Sequence, residues 1–336
     1  MREIADLAEG LTCDLYGEGE LIEGFEREVA ALLGKEAAVF MPSGTMAQQI
    51  AMRIWSEQRG STRIGFHSLC HLEMHEQMGY RYLHGLHGVH LGNRHKVLTA
   101  ADLSGVVEPL AAVLVELPQR EIGGQLPSWE ELLELRDVAQ ARSTALHLDG
   151  ARLWESGPFY GRPYAEIAAL FDSVYVSFYK GLGGIAGCAL LGSKTFIAQA
   201  KVWQRRHGGN LVHLYPEVLS AKLGLQKRLP RMGEYWAKAK SIATELGGMS
   251  QIDIVPNPPH TNMLHLHLRG DAAKLEGAAR AIAEEDGIWM FGKLRPTALQ
   301  GAWLFELTVG DGTLELADRE IRGLFEKLFL KAAAAD

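Results

Sequence analysis

The chain has few cysteines, no run of basic residues and no long apolar run, and each absence argues against a class of protein. Its 336 residues include three cysteines, Cys13, Cys70 and Cys188, without a C-x-x-C pair, which favours a reducing compartment over a disulfide framework. A net charge of −7 argues against nucleic-acid binding. No run approaches transmembrane length and the first residues lack a signal-peptide stretch, so we expect a cytoplasmic protein with no membrane partner.

What the chain does contain is the composition of a large globular protein, with 47% hydrophobic and 22% charged residues. Its length is enough for one large domain and a smaller one. Short apolar segments alternate with amphipathic ones, which predicts strands alternating with helices and a mainly parallel sheet covered on both faces. The expected fold class is therefore α/β. A long helical stretch over 215–246 is expected to lead into the C-terminal domain.

An acid and a lysine each follow one of two successive predicted strands. Asp149 lies in the segment His-Leu-Asp-Gly-Ala-Arg (147–152), and Lys180 in Ser-Phe-Tyr-Lys-Gly-Leu-Gly (177–183). Pyridoxal phosphate chemistry needs such a pair, because the lysine holds the aldehyde as a Schiff base and the acid keeps the pyridine nitrogen protonated. A G-x-G-x-x-A dinucleotide fingerprint at 181–186 is a poor alternative, since that turn leads into a predicted strand and no acid follows about 20 residues later.

Two other segments are candidates for contact with such a cofactor. Ser43, Gly44 and Thr45 lie between a predicted strand and a helix, where free N–H groups bind phosphate, although an ordinary N-cap explains them equally well. His71 and His75 lie one helical turn apart beside Glu76, which suggests a metal site. The segment reads H-L-E-M-H rather than H-E-x-x-H, so we expect no metal. A histidine stacked on the cofactor ring, or acting as an acid or base beside it, is the simpler interpretation.

Together these motifs resemble the threonine aldolase family of β-eliminating lyases, among the fold type I (aspartate-aminotransferase-like) pyridoxal phosphate enzymes. The resemblance spans most of the chain and includes the H-x-D-G-A-R segment, the lysine segment and the Pro-Ser-Gly-Thr-Met-Ala turn at 42–47. It implies a large domain with a mainly parallel, seven-stranded-type sheet and a smaller C-terminal α+β domain. We expect an N-terminal arm over 1–20, the large domain over 21–240 and the small domain over 241–336.

The motifs, the resemblance and the positions of the basic residues together give candidate roles for individual residues. The candidate catalytic residues are Lys180, His71 and Glu76, with His75 as an alternative base. The residues expected to hold pyridoxal phosphate are Ser43, Gly44, Thr45, His71, Asp149, Arg152, Ser177, Lys180 and Arg205. The candidate substrate-binding residues are Arg152, Gln119, Arg120 and Arg295. Gln119 stands where the family has a histidine tied to the substrate hydroxyl, and the family's late arginine has no counterpart here.

The expected activity is retro-aldol cleavage of the Cα–Cβ bond of a β-hydroxy-α-amino acid, which yields glycine and an aldehyde. β-Elimination or racemisation of another amino acid remains an alternative, because the sequence does not show which Cα bond stands perpendicular to the cofactor ring. A protein that retains the cofactor without turnover is a further alternative. The resemblance also implies a homo-oligomer, dimer or tetramer, with active sites shared between subunits.

Overall fold

The computed structural model describes residues 2–334, which form two compact units. The first unit contains the chain up to Glu121 together with Leu126–Arg231, and the second contains Ile122–Gln125 together with the chain from Met232 onward. The expected division at 240 falls inside a helix of the second unit. The three predicted domains, 1–20, 21–240 and 241–336, stay predictions. No helix within residues 2–334 combines the length and apolar character needed to cross a membrane.

The first unit is built on a seven-stranded sheet. Its strands are β1 (Ala37–Met41), β2 (Arg63–His67), β3 (His87–Leu91), β4 (Ala112–Glu116), β5 (Ala145–Gly150), β6 (Ser173–Ser177) and β7 (Cys188–Gly192). Their order is β1-β7-β6-β5-β4-β2-β3. All pairs between β6 and β3 are parallel, whereas β7 pairs antiparallel with both of its neighbours. The predicted α/β fold with a mainly parallel sheet is confirmed.

Helices connect these strands and cover the sheet. They are α1 (Arg2–Ala8), α2 (Glu20–Leu32), α3 (Gly44–Arg59), α4 (His71–Met74), α5 (Gly79–His84), α6 (Ala100–Ser104), α7 (Trp129–Ala141), α8 (Leu153–Tyr160), α9 (Tyr164–Ala169), α10 (Lys194–Arg206) and α11 (Tyr215–Lys227). Helix α7 begins with a capping box: the Ser128 hydroxyl accepts the Glu131 N–H at 3.1 Å, and the Glu131 carboxylate accepts the Ser128 N–H at 2.7 Å.

The central strands β4, β5 and β6 are buried along their whole lengths. Burial on both faces explains why they are mostly continuous apolar runs rather than alternating patterns. The two acids of these strands lie near their carboxyl ends: Glu116 ends β4 and lies opposite Asp149 of β5, which in turn lies opposite Tyr175 of β6. Because ligands of open α/β sheets bind beyond the carboxyl ends of the strands, this edge is the place to look for a site.

The second unit is an antiparallel sheet with helices. Its strands are β8 (Ile252–Val255), β9 (Met263–Arg269), β10 (Arg295–Pro296) and β11 (Ala302–Thr308), in the order β10-β11-β9-β8. Its helices are α12 (Met232–Leu246), α13 (Ala272–Asp286), α14 (Asp311–Leu314) and α15 (Asp318–Ala334). The prediction of one long helix over 215–246 is wrong. Helix α11 ends at Lys227 and a 3₁₀ turn at Leu229–Arg231 precedes α12, because Pro230 has no N–H to donate and its ring clashes with the preceding turn.

Candidate active site

A narrow cavity lies at the carboxyl edge of the seven-stranded sheet. The start of α3, the His71–Glu76 segment, the end of β5 and the turn after β6 all line it. Six of the residues singled out from the sequence meet there: Gly44, Thr45, His71, Glu76, Asp149 and Lys180. The structure thus brings together, in one small cavity, an amine, two carboxyl groups and an imidazole.

Asp149 is a buried acid at the end of β5, with 1% of its surface exposed. Its Oδ1 accepts the N–H of Ala151 at 3.1 Å. Burial raises the pKa of Asp149 to about 6, and the nearby His71 opposes that rise. A cationic group placed against this carboxyl would be favoured, because it would remove the cost of ionising a buried acid.

His147, two residues before Asp149, connects the sheet to α3. Its Nε2 lies 2.7 Å from Gln48 Oε1 and its Nδ1 lies 2.7 Å from Ser173 Oγ. Burial lowers the pKa of His147 to about 3, so the ring stays neutral. The other end of the Gln48 amide, Nε2, is buried without a hydrogen-bond partner among residues 2–334. Since Gln48 lines the cavity, this donor is available to a ligand.

Lys180 lies in the turn between β6 and β7 and is half-buried. Its carbonyl accepts the N–H of Gly183 at 2.9 Å, and its Nζ lies 5.0 Å from the centre of the Tyr179 ring. Ser177 holds the start of this turn, because its hydroxyl donates to the carbonyl of Ala151 at 2.7 Å. The hydroxyl of Ser177 is therefore bonded to the backbone next to Asp149, and its contact with a cofactor stays a prediction.

His71 and Glu76 form a hydrogen-bonded pair that also lines the cavity. His71 Nδ1 lies 3.0 Å from Glu76 Oε1, and Gln49 Nε2 donates to the other oxygen of Glu76 at 3.4 Å. Burial raises the pKa of Glu76 to about 8 and lowers that of His71. Near neutral pH both side chains are therefore mainly uncharged and share one proton. His75 instead lies 3.0 Å from Glu121 and does not line the cavity.

The start of α3 is arranged differently from that of α7. Ser43 is the N-cap residue with extended backbone, but its hydroxyl makes no capping hydrogen bond to α3. At Gly44 a Cβ atom would overlap the hydroxyl of Tyr175, so the close approach of that ring requires glycine. Hydroxyls and free N–H groups at a helix N-terminus are suited to an anion such as phosphate.

The remaining predicted residues are more scattered. Arg152, half-buried at the start of α8, lowers the pKa of Asp149 by its charge. Gln119 is buried and Arg120 is half-buried in the segment after β4. Arg205, exposed on α10, does not line the cavity in the part of the chain that the structure describes. Arg295 belongs to the second unit, where its guanidinium lies 3.7 Å from Glu306.

Glu116 is a site residue that the sequence analysis did not single out. Its carboxylate accepts the N–H of His71 at 3.1 Å, the side-chain amide of Gln119 at 3.2 Å and the N–H of Arg120 at 3.2 Å. Burial, reinforced by the charge of Asp149, raises the pKa of Glu116 to about 8. The available signal was its place at the end of a predicted strand, the same signal that identified Asp149.

The residues present fit pyridoxal phosphate. The cavity holds an amine that can condense with an aldehyde, a buried carboxyl that can pair with a ring nitrogen, and an unpaired amide donor beside a helix N-terminus. Within residues 2–334 there is no group of three or more histidine, cysteine, aspartate or glutamate side chains placed to hold a metal ion. The amine, the buried carboxyl and the start of α3 together support a cofactor with an aldehyde, a ring nitrogen and an anionic group.

Comparisons with known proteins agree with this chemistry. The β-eliminating lyase family matches residues 1–270. The structure superimposes with a TM-score of 0.93 on a provisionally assigned L-allo-threonine aldolase of Listeria monocytogenes, 43% identical over 98% of this chain and 93% of that one. A provisionally assigned aromatic amino acid β-eliminating lyase/threonine aldolase of Exiguobacterium is 41% identical over 98% and 92%, also with a TM-score of 0.93. Low-specificity L-threonine aldolase 1 of Arabidopsis thaliana is 29% identical over 82% and 79%.

Proposed function

The chain belongs to the β-eliminating lyase family, and from that premise we propose that it is a pyridoxal phosphate-dependent lyase that cleaves β-hydroxy-α-amino acids to glycine and an aldehyde. One observation carries the proposal: Lys180, Asp149 and His71 line a single cavity at the carboxyl edge of the sheet. The aldolase names of the Listeria and Arabidopsis relatives support the substrate class.

Pyridoxal phosphate, when bound, supplies a ring that accepts the electrons left on Cα after the bond is broken. In this proposal Lys180 holds its aldehyde carbon through Nζ, and Asp149 holds a proton at the pyridine nitrogen. Ser43, Gly44 and Thr45, at the start of α3, would hold the phosphate. Arg152, Ser177 and, from a neighbouring subunit, Arg205 complete the proposed cofactor-binding set.

His71 and Glu76 are the proposed path for the substrate proton. The β-hydroxyl gives its proton to His71 Nε2, and His71 gives the proton on Nδ1 to Glu76 Oε1, 3.0 Å away. Glu76 can accept it only when ionised. Because its pKa is raised to about 8, we expect turnover to increase as the pH rises toward that value. His75 is a less favoured base, since its imidazole faces Glu121.

The substrate carboxylate needs a cationic partner, because that contact decides which Cα bond is aligned with the ring orbitals. Arg152 is the first candidate, since its guanidinium can bind a carboxylate through two hydrogen bonds and its charge reaches Asp149 and Glu116. Arg120, Gln119 and Arg295 remain further candidates for contact with the carboxylate or the hydroxyl.

We also propose a cytoplasmic homo-oligomer, dimer or tetramer, in which Arg205 reaches the site of a neighbouring subunit. The exposed position of Arg205, away from the cavity of its own chain, supports a role across an interface. Light scattering of the purified protein is the measurement. A monomer that binds the cofactor at full affinity would contradict this assembly.

A product assay tests the reaction. The cofactor-loaded protein is incubated with threonine, allo-threonine and phenylserine stereoisomers, and glycine, aldehyde, ammonia and keto acid are quantified. Glycine and aldehyde in equal amounts would support the aldolase. Ammonia with a keto acid would support β-elimination, which the double name of the Exiguobacterium relative keeps as the second candidate. Loss of optical purity alone would indicate a racemase, and cofactor binding with no product at all would overturn the proposal.

A further inference from the structure

Glu155 is a buried carboxyl beneath the Lys180 turn that the proposed mechanism does not use. It lies in the first turn of α8, with 3% of its surface exposed. Its Oε1 accepts the N–H of Gly181, the residue directly after Lys180, at 3.0 Å. A Cβ atom at Gly181 would overlap this carboxyl, so the backbone of the turn lies directly against it. The side chain of Glu155 therefore holds the peptide that carries Lys180.

Other contacts show that the turn is held on both sides of the lysine. On the preceding side, Trp154 Nε1 donates to the carbonyl of Ser177 at 2.8 Å. On the following side, Gly184 donates its N–H to the carbonyl of Phe178 at 2.8 Å. Helix α8 thus contacts the chain before Lys180 through Trp154 and after it through Glu155, and of these two contacts only the second carries an ionisable group.

The second oxygen of Glu155 is unusual. Oε2 is buried and has no hydrogen-bond partner in the portion of the chain that the structure describes. An unpaired buried carboxylate is costly unless positive charge lies nearby. Burial raises the pKa of Glu155, whereas the charges of Arg152 and Lys180 lower it. Tyr164 also faces this carboxyl, and burial together with the charge of Glu155 raises the tyrosine pKa, so the phenol stays neutral.

We propose that Glu155 is a positioning residue for Lys180, and that its free oxygen holds a proton whenever the lysine amine is uncharged. The proposal rests on the proposed function, in which Nζ attaches to an aldehyde. The ammonium of Lys180 releases one proton when it becomes a neutral amine, and one proton adds to Oε2 of Glu155, so charge in the buried region is conserved. Each time the lysine is released by substrate, the proton returns.

The first test uses the protein without cofactor and measures the ionisation of Lys180 directly. The pH dependence of Lys180 acetylation is measured by quantitative mass spectrometry in wild type and in Glu155→Gln. Without the Glu155 carboxylate, the Lys180 ammonium loses a stabilising negative charge. We therefore expect the pH midpoint of Lys180 acetylation to fall by about one pH unit. Glu26→Gln is the matched control, because Glu26 is also buried and its Oε1 accepts a backbone N–H, that of Phe40 at 2.8 Å. It should leave the Lys180 midpoint unchanged.

The second test counts protons during pyridoxal phosphate binding, by calorimetry in buffers with different ionisation enthalpies. Glu155→Gln should release more protons than wild type, by up to about one per site, because the proton leaving Lys180 is no longer retained. Glu155→Asp keeps the carboxylate charge, so it is the variant to measure if Glu155→Gln does not fold. We expect it to keep the wild-type proton count while binding the cofactor more weakly.

The outcomes separate this inference from the proposed function. An unchanged Lys180 midpoint and an unchanged proton count in Glu155→Gln would overturn the role of Glu155, even if Lys180 binds the cofactor. If Glu155→Asp changes the proton count as much as Glu155→Gln does, that result would also overturn the role of Glu155. If borohydride labelling shows that the cofactor attaches to another lysine, the proposed function fails, whereas the midpoint measured without cofactor still reports on Glu155 and Lys180.

Discussion

Two sets of candidate site residues, at or near the carboxyl edge of the seven-stranded sheet, are held in different ways. A strand-end set, Asp149, Ser177 and Lys180, ends or directly follows β5 and β6, whose pairing places its members side by side. A loop set, His71, Gln119 and Arg120, lies outside the strands and depends on hydrogen bonds to one carboxylate, that of Glu116. The difference suggests that changes in the strand-end set should abolish cofactor chemistry, whereas changes around the loop set should alter substrate affinity and pH dependence.

Replacing the lysine of the strand-end set should have the largest effect. Lys180→Ala removes the amine proposed to attach the cofactor, so we expect glycine formation to fall at least about 10⁴-fold. Lys222→Ala is the control, because that half-buried lysine pairs with Glu28 away from the cavity and should keep wild-type turnover. Borohydride reduction of the loaded wild type should label Lys180. A label on a different lysine would contradict the assignment.

The acid of the same set should have the next largest effect. Asp149→Asn keeps the shape of the side chain but cannot stabilise a proton on the pyridine nitrogen, so we expect turnover to fall about 10²- to 10³-fold while cofactor is still bound. The absorption spectrum and the rate of glycine formation measure the two effects separately. Turnover near that of wild type would show that the acid only supports the turn at Ala151.

Substitutions of the arginines should separate substrate binding from the chemical step. Loss of a carboxylate-binding guanidinium should raise KM for the amino acid about 10- to 100-fold with little change in cofactor attachment. We expect this for Arg152→Ala, and to a smaller extent for whichever of Arg120→Ala and Arg295→Ala removes a second contact. Steady-state kinetics on each variant measures it. Should all three retain the wild-type KM, the ligand is not an α-amino acid held in this way.

Glu76 should make stability depend on pH. A glutamate carboxyl in water has a pKa of about 4.5, and burial raises that of Glu76 in the folded protein to about 8. Between these values the unfolded chain ionises this group and the folded chain does not, so its contribution to the unfolding free energy falls as the pH rises. Relative to Glu76→Gln, wild type should therefore lose on the order of 4 kcal/mol of unfolding free energy from about pH 4.5 to about pH 8. Urea titrations at both pH values measure this, and parallel pH profiles would contradict it.

Two N-cap serines provide the smallest and most closely matched comparison. Ser128 caps α7 with its hydroxyl, so Ser128→Ala should lower the unfolding free energy by about 1 kcal/mol. Ser43 makes no such bond to α3, so Ser43→Ala should change stability by less than about 0.5 kcal/mol yet weaken cofactor binding about tenfold. If Ser43→Ala destabilises the protein as much as Ser128→Ala, then Ser43 is an ordinary helix cap.

The sequence was informative where a local pattern determines position. Asp149 and Lys180 could be recognised because an apolar run ended by a polar residue marks the end of a buried strand, and the fold class that follows from such runs is confirmed. The burial of Glu116 could not be foreseen, because it depends on His71 arriving from a segment far along the chain. Strand β3 is mostly exposed and contains two histidines and a glycine among its five residues, so its apolar signal is weak.

The apolar spacing typical of a helix was less informative than the proline that interrupts it. Apolar spacing continues through 215–246, but Pro230 interrupts the hydrogen bonding and the chain passes into its second unit close to that point. Arg205 and Arg295 could not be placed from local pattern either, since neither of them lines the cavity in the part of the chain that the structure describes.

The antiparallel strand β7 has a consequence for how the protein is made on the ribosome. Strand β1 is an edge strand whose neighbour in the sheet is β7, so its backbone groups find their partner only after Gly192 has been synthesised. Until then the nascent chain carries an unpaired apolar segment, Ala37–Met41, of the kind that promotes aggregation. Lys180 lies in the connection between β6 and β7. When β7 joins the sheet during synthesis, it therefore orders the turn that carries Lys180 and pairs with β1 in the same step.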